Sequence, residues 1–355
     1  MHPIRTGSWF LPLILFVFIS CEAPFQPATH NAPATQRYSA ALPDGTKLTV
    51  WVMRMAHQEG KPLVTVQLED PLEPALLNGT SQAVAADSIH VVFQPLDGGM
   101  NTFKAMLPSE GTARASYTRK GSPSAMEMDL VPEKEEIVFT PRIIEKRIEP
   151  TKDPENAEGG GFEEMGIAEL GQDISLNVFT ITRADGTRHL LDSVLEQFIC
   201  GKAGDYDRFV DGMKEGPFSY ELGTVINHRD TARVCLSVAF HEQWPGAAHG
   251  MFGTRILNYD LKNDREIGLW DVVDRKMRGA LIAAASKTLY ARYPEKDKRQ
   301  WPFKLTENVM ILRDGITFVH APYEMGPFVE GEVSYYMPFS ALRPMMRADG
   351  MAAVQ

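Results

Sequence analysis

The sequence predicts an α+β protein in two parts. An all-β N-terminal domain, a sandwich or small barrel, is followed by a domain with helices on one face of a mainly antiparallel sheet. Three observations predict it. From residue 38 to about 139, short runs of alternating apolar and polar residues recur between clusters of Gly, Pro, Asp and Ser, the pattern of antiparallel strands and turns. From residue 173 onward, β-branched stretches alternate with two segments whose apolar residues fall at helical spacing. The 355 residues also leave room for two domains.

The chain opens with a leader. Arg5 supplies a positive start, an apolar run follows from Trp9 to Ile19, and Ser20-Cys21 closes it. That order is a secretory signal peptide, with an apolar run shorter than the roughly 20 residues a bilayer-spanning helix needs. The ending Phe18-Ile19-Ser20-Cys21 resembles the lipobox of bacterial lipoproteins, with Phe18 where Leu is usual. The resemblance implies cleavage after residue 20, a lipid on Cys21, and attachment of the chain to a membrane in the bacterial cell envelope, periplasmic or surface-facing. A plain cleaved signal and a short membrane anchor are the competing readings. Residues 21–37 are then the lipidated Cys and a Pro-containing tether.

The β-rich domain spans 38–140. Within 47–55 the alternation runs through Leu48, Val50 and Val52, and 63–68 repeats it with Val64, Val66 and Leu68 on one side. Strands follow at 88–93, 102–107, 113–118 and 126–130. Residues 141–164 are charged and then Gly-rich, a linker or the opening strand of the next domain. The second domain spans 165–347, with a tail over 348–355. A strand covers 173–182. Over 188–200 the residues Leu190, Leu191, Val194, Leu195, Phe198 and Ile199 share one helical face, and Gly201 stops the helix. Strands at 220–228 and 232–240 turn at Arg229-Asp230. A second helix is expected from about 269 to 290, with Val273, Met277, Leu281 and Ala284 on its stripe. Strands at 309–312 and 316–320 are joined by Arg313-Asp314-Gly315, whose Asp-Gly pair favours a tight turn, and a last strand covers 331–337.

Net charge is −10. Phosphate-binding surfaces are rich in Lys and Arg, so this balance argues against nucleic acid as a partner. It argues equally against docking on anionic lipid, which leaves membrane attachment to the acyl chains. With Cys21 lipidated, Cys200 and Cys235 remain as an even pair. In an oxidising compartment they form a disulfide closing a loop worth roughly 3–4 kcal/mol, or else stay as two buried thiols.

The second domain carries an ordered string of motifs. Trp244-Pro245-Gly246-Ala247-Ala248-His249-Gly250 is followed by Asn258-Tyr259-Asp260-Leu261-Lys262-Asn263-Asp264 and Ile267-Gly268-Leu269-Trp270-Asp271-Val272-Val273. Later come Pro322-Tyr323-Glu324-Met325-Gly326-Pro327, Gly331-Glu332-Val333 and Met337-Pro338-Phe339-Ser340-Ala341-Leu342. Over about 165–345 the string resembles the extracytoplasmic domain of unknown function shared by RsiV-type anti-sigma factors and PdaC-type peptidoglycan deacetylases. Ala247 and Asp264 stand where that pattern has Gly. The transmembrane and sigma-binding segments of the first group and the deacetylase motifs of the second are not found. In RsiV-type proteins the region resembles a receptor for lysozyme, so the resemblance implies a protein or peptidoglycan partner.

Trp244, Gly246, His249, Gly250, Tyr323 and Glu324 are the candidate partner-binding residues. Each has a structural reading beside the functional one: the glycines permit positive φ or close approach, His249 locks its loop with one hydrogen bond, and Trp244, Tyr323 and Glu324 pack the sheet ends. The loops are expected at neighbouring ends of one sheet. No catalytic residue, metal ligand or cofactor is assigned. His241-Glu242 begins like a zinc-protease helix, but Pro245 and the late His249 break the ligand spacing, and no Gly-x-Ser-x-Gly elbow occurs. The chain is therefore read as a non-catalytic envelope lipoprotein. A hydrolase or deacetylase of wall polysaccharide is the alternative, since paired carboxylates leave no motif.

Overall fold

The structure is a computed structural model and describes residues 35–43, 45, 47–55, 63–69, 75–85, 88–95, 102–108, 111–118, 122, 124–149, 171–213, 217–244, 247–295 and 302–350. The leader, Cys21 and Gly246 lie outside the described residues. Strand pairing is mainly antiparallel, with a few helices, as the periodicities predict.

Eight strands close in chain order into a barrel: β1 (Thr35–Ala41), β2 (Lys47–Met55), β3 (Leu63–Glu69), β4 (Ala75–Ala85), β5 (Ser88–Pro95), β6 (Thr102–Pro108), β7 (Ala113–Thr118) and β8 (Met126–Pro132). Alternation puts Leu48, Val50, Val52, Phe103, Leu107, Tyr117 and Leu130 in its core. Alanines at positions 40, 105, 113 and 115 stand among the large rings there, the mixture of sizes that fills a narrow barrel. β4 has no clean alternation and is missed from the sequence, and β1 begins at Thr35, inside the stretch read as tether. Closure rests on Tyr38↔Pro132 and Ser39↔Val131. The Glu133 N–H donates to Arg37 O, and the Gln36 amide donates to Glu133 O at 3.0 Å.

Trp51 has the opposite parity to Val50 and Val52 and points out of the barrel, yet it is buried. It is covered by the Arg37 guanidinium at 5.5 Å and the Arg229 guanidinium at 5.4 Å from its ring. Arg229 belongs to the second sheet, so this contact joins the barrel to the rest. That sheet contains β9 (Ile137–Ile148), β10 (Gln172–Arg183), β11 (Ser219–Arg229), β12 (Arg233–Gln243), β13 (Met251–Asp260) and β14 (Arg265–Glu266), in the order β14-β13-β12-β11-β10-β9. The segment read as linker or opening strand is a strand up to Ile148. β10 and β11 pair in parallel, which requires a crossover. It is made by α1 (Leu190–Cys200) and α2 (Tyr206–Gly212). His189 Nδ1 caps α1 by accepting the Leu191 N–H, and Gly201, with φ of 54°, ends it. Leu191, Leu195 and Ile199 bury against Leu176, Leu222, Val234 and Leu236, while Leu190 turns to solvent. Asp205 caps α2 by accepting the Arg208 N–H.

The remaining helices serve a third, three-stranded sheet of β15 (Val309–Ile311), β16 (Gly315–His320) and β17 (Val333–Pro338). The single long helix expected from 269 is broken into α3 (Leu269–Val272), a 3-10 turn over Arg275–Met277, and α4 (Arg278–Arg292). Val273 is extended because it bridges to Met346, and Asp274 restarts the chain by accepting the Lys276 N–H. α5 (Phe339–Leu342) follows β17. Leu281, Ala285 and Leu289 of α4 pack with Phe318, Tyr335 and Met337.

Asparagines stitch the two sheets together. Asn258 of β13 donates to Val309 O at 2.8 Å and accepts the Ile311 N–H at 2.8 Å. Asn308 accepts the Ile256 N–H at 2.9 Å and donates to Thr254 O at 2.7 Å. Each side-chain amide thus does for its neighbour's backbone what a ladder partner does.

Of the two readings of Cys200 and Cys235, disulfide or buried thiols, the structure has the second: both are buried free thiols. The reason is strand parity. Val234, Leu236 and Val238 face α1, whose last residue is Cys200, so Cys235 faces the other way, where the Ile311 N–H approaches its sulfur. Burial pushes both thiols up to about 12.

Candidate functional site

The β12–β13 hairpin carries the loop from Trp244 to Gly250. Gly250 is required by close approach: a Cβ there would lie 2.5 Å from His241 Nε2 and 2.8 Å from Gln243 Oε1. The glycine lets those two strand side chains cross the hairpin. His249 Nδ1 lies 3.0 Å from Gly250 O, a contact with its own chain neighbour, and the residue stays exposed.

The second segment leaves β16 at Ala321. Glu324 Oε2 accepts the Ala321 N–H at 3.1 Å, and the Glu324 N–H donates to Ala321 O at 3.1 Å, closing a tight turn. That turn holds Tyr323 at φ of 70°, a left-handed conformation unfavourable for a residue with a Cβ. Lys304 Nζ lies 3.5 Å from Glu324 Oε1, and His320 Nδ1 lies 3.7 Å from Oε2. A 3-10 turn, Phe328–Glu330, follows and ends at Gly331 with φ of 67°.

Phe328 brings the two segments together. His249 stacks on it at 3.9 Å between ring centroids and 17° between planes. Phe252 meets it edge-on at 5.1 Å and Tyr323 lies tilted at 5.4 Å. Glu332 adds a polar tie by accepting the Thr254 hydroxyl at 2.8 Å. Tyr323 is 55% exposed, Trp244 41% and Val329 89%, so the cluster presents apolar surface to solvent. Within 241–252 and 321–333 the acids are Glu242, Glu324, Glu330 and Glu332, and neither segment contains Lys or Arg.

The two loops therefore do meet, although they spring from two different sheets. His249, Tyr323 and Glu324 belong to the assembly, Gly250 shapes it, and Trp244 is exposed on the same hairpin. Phe252, Phe328 and Val329 were not legible as site residues. Their signal was an aromatic lodged between Pro327 and Gly331, beside a motif that drew attention to Tyr323 instead. Among the described residues no group of three or more His, Cys, Asp or Glu side chains could hold a metal ion. A separate open groove of about 1070 Å³ runs along β1 and β8, lined by Arg37, Arg114, Glu127, Asp129 and Glu133. Two of its carboxylates face arginines, Glu133 at 2.9 Å from Arg37 and Asp129 at 4.0 Å from Arg114.

A family model described as a protein of unknown function (DUF3298) matches residues 262–340, the stretch that builds β14, α3, α4, α5 and the three-stranded sheet. Two solved structures described as DUF3298 family proteins are similar to this chain. One, from Bacteroides fragilis NCTC 9343, is 17% identical, covers 61% of this chain and 96% of its own, and has a TM-score of 0.50. The other, from Pseudomonas aeruginosa PAO1, is 17% identical, covers 60% of this chain and 95% of its own, and has a TM-score of 0.46. At that identity the Bacteroides likeness is one of fold. No curated protein matches the chain.

Proposed function

We propose that the chain is a non-catalytic cell-envelope lipoprotein, held to a membrane by lipid on Cys21, with an all-β domain followed by an RsiV-like α+β domain. That second domain binds a protein, a lysozyme-like one included, or a cell-wall ligand. The observation that carries the binding reading is the exposed aromatic surface around Phe328. It is assembled from two loops standing on rigid sheets, the arrangement in which binding residues concentrate. Tyr and Trp are the side chains that most often anchor interfaces; Tyr323 is an exposed member of this surface, and Trp244 is exposed on the hairpin that carries His249. A turn that holds Tyr323 at positive φ maintains an unfavourable conformation in order to aim the ring, and such strain concentrates at functional positions.

The test is capture of envelope components by the immobilised protein. Trp244→Ala and Tyr323→Ala should each weaken capture by about 2 kcal/mol, roughly thirtyfold. Both should leave the melting temperature within about 2 °C, because the side chains are exposed. Unchanged capture in both variants, or a fall in melting temperature that accounts for the loss, would refute the proposal.

A further inference from the structure

We propose that the free edge of β9 pairs with the same edge of a second copy of this chain, antiparallel and centred on Ile143, so that two six-stranded sheets join into one.

β9 is the last strand of its sheet and runs for 12 residues. Which of its backbone groups face outward follows from its ladder with β10. The Ala184 N–H donates to Glu136 O in step with the β9–β10 register, so the even residues of β9 exchange their hydrogen bonds with β10. The odd residues then point away from the sheet. Ile137 O, an odd one, accepts the Arg229 guanidinium instead of a β10 N–H. β10 keeps the same parity, since its Asp173 N–H donates to Phe218 O on the side away from β9. Pro141 falls on an odd position, where its missing N–H takes nothing from the ladder. Beyond it, Ile143, Glu145 and Arg147 carry edge N–H and C=O groups that no strand among the described residues pairs.

Charged side chains often guard such an edge against pairing, and β9 carries Arg142, Glu145, Lys146 and Arg147. Its cations do not serve that purpose, because each is turned back onto its own chain. Arg142 lies over the Tyr206 ring at 5.7 Å, and Lys146 pairs with Asp211, both on α2. Arg147 lies 2.9 Å from Glu149 and 3.8 Å from Asp173. Ile143 stands among them 48% exposed, an apolar side chain on a bare edge.

Charge selects both the occupant and the register. Two such edges bond only with odd residues opposite odd ones, and two copies related by a two-fold axis meet antiparallel. Like charges directly opposite each other are destabilising. Centring the pair on Arg142, Glu145, Lys146 or Arg147 sets that charge against itself, and centring it on Ile144 sets Arg142 against Lys146. Centring on Ile143 sets Ile143 on Ile143, Pro141 on Glu145 and Arg142 on Ile144, with no like pair. In that register the Ile143 N–H and C=O groups are exchanged across the axis. Each Glu145 N–H donates to the Pro141 carbonyl opposite, which needs no donor from the proline. The edge is therefore complementary to itself.

The test is oxidative cross-linking of the full chain carrying Ile143→Cys. Opposite residues of a hydrogen-bonded pair have Cα atoms about 5.5 Å apart, within disulfide reach. This variant should run as a disulfide dimer on a non-reducing gel. Glu145→Cys puts the same thiol about 13 Å along the strand from its counterpart and should not cross-link. Cys200 and Cys235 are buried, and the wild-type chain run alongside accounts for Cys21. Sedimentation of the wild-type chain over a concentration series should show monomer and dimer in equilibrium. Ile143→Lys sets two cations against each other on the axis and should weaken that dimer at least about tenfold. A chain that stays monomeric at every concentration, no cross-link through Ile143→Cys, or an equal cross-link through Glu145→Cys would overturn the proposal.

Discussion

Replacing Arg229 by Met removes the charge at the centre of the barrel–sheet junction and strands its partner. In the native protein Arg229 Nη2 donates to Glu135 Oε2 at 3.1 Å and to Ile137 O at 3.2 Å. The two side chains are 4% and 7% exposed. Burial pushes the Glu135 carboxyl up from its ordinary value and the Arg229 guanidinium down, in each case against the pull of the other. Such a pair is unfavourable to bury and still worse to break. Left with only the Arg37 N–H and the Arg37 charge, the buried carboxylate costs about 3–5 kcal/mol there. The guanidinium also lies 4.9 Å from the Phe139 ring and 5.4 Å from Trp51. Met keeps the apolar contact with those rings and forfeits the cation–π part, about 1 kcal/mol. Urea unfolding of Arg229→Met should therefore report a loss of about 4–6 kcal/mol, while Arg229→Met with Glu135→Leu should lie within about 1–2 kcal/mol of the native protein. The pH dependence has a definite sign. A buried carboxyl raised above 4.5 gives the native state more bound protons than the unfolded chain, so its contribution to stability falls as pH rises from 4.5 to the raised value. Without Arg229 the rise is larger, so the deficit of the single variant should shrink from about pH 7 to about pH 5. A single-variant loss below about 1 kcal/mol, or a double variant as unstable as the single one, would refute this account of the junction.

The stitch between the sheets is tested by Asn258→Ala. It orphans a buried carbonyl and a buried N–H, and unfolding measurements should show a loss of about 2–5 kcal/mol; a loss under 1 kcal/mol would mean that water replaces the amide. The two thiols are tested by reaction with a disulfide reagent at about pH 8, where the thiolate is the reactive form. Cys200 and Cys235, both buried and pushed up to about 12, should stay silent in the folded protein and react on unfolding without reductant. Silence in the unfolded, unreduced chain would reinstate the disulfide.

Much of the fold was legible because it depends on local periodicity. Leu48, Val50 and Val52 alternate as a strand must, and Leu191, Leu195 and Ile199 recur as a helix must. What was lost depends on residues distant in sequence. Nothing near Val273 announces that Met346 will pair with it and end a helix. Trp51 has the sequence position of an outward-facing strand residue, and the Arg37 and Arg229 that cover it are distant in sequence. Cys235 alternates correctly, but which face receives α1 is decided by the sheet around it. The same limit applies to the site: Tyr323 and His249 stood out through their motifs, whereas Phe328 acquires its role only when two sheets meet.

The short seam between β1 and β8 also bears on the order in which this molecule assembles. Every other ladder of the barrel joins strands that are neighbours in the chain, so each can zip from a local turn. The seam alone brings together segments as far apart as Gln36 and Glu133, 97 residues along the chain. Closing such a loop from an open chain costs on the order of 4 kcal/mol of entropy, more than two residue pairs and an amide clamp return by themselves. The seam therefore forms profitably only after the meander has already curled and brought its ends together. It is the last ladder to zip and the first to part, and a nascent chain carries a curled, open sheet until both Thr35–Ala41 and Met126–Pro132 are in place.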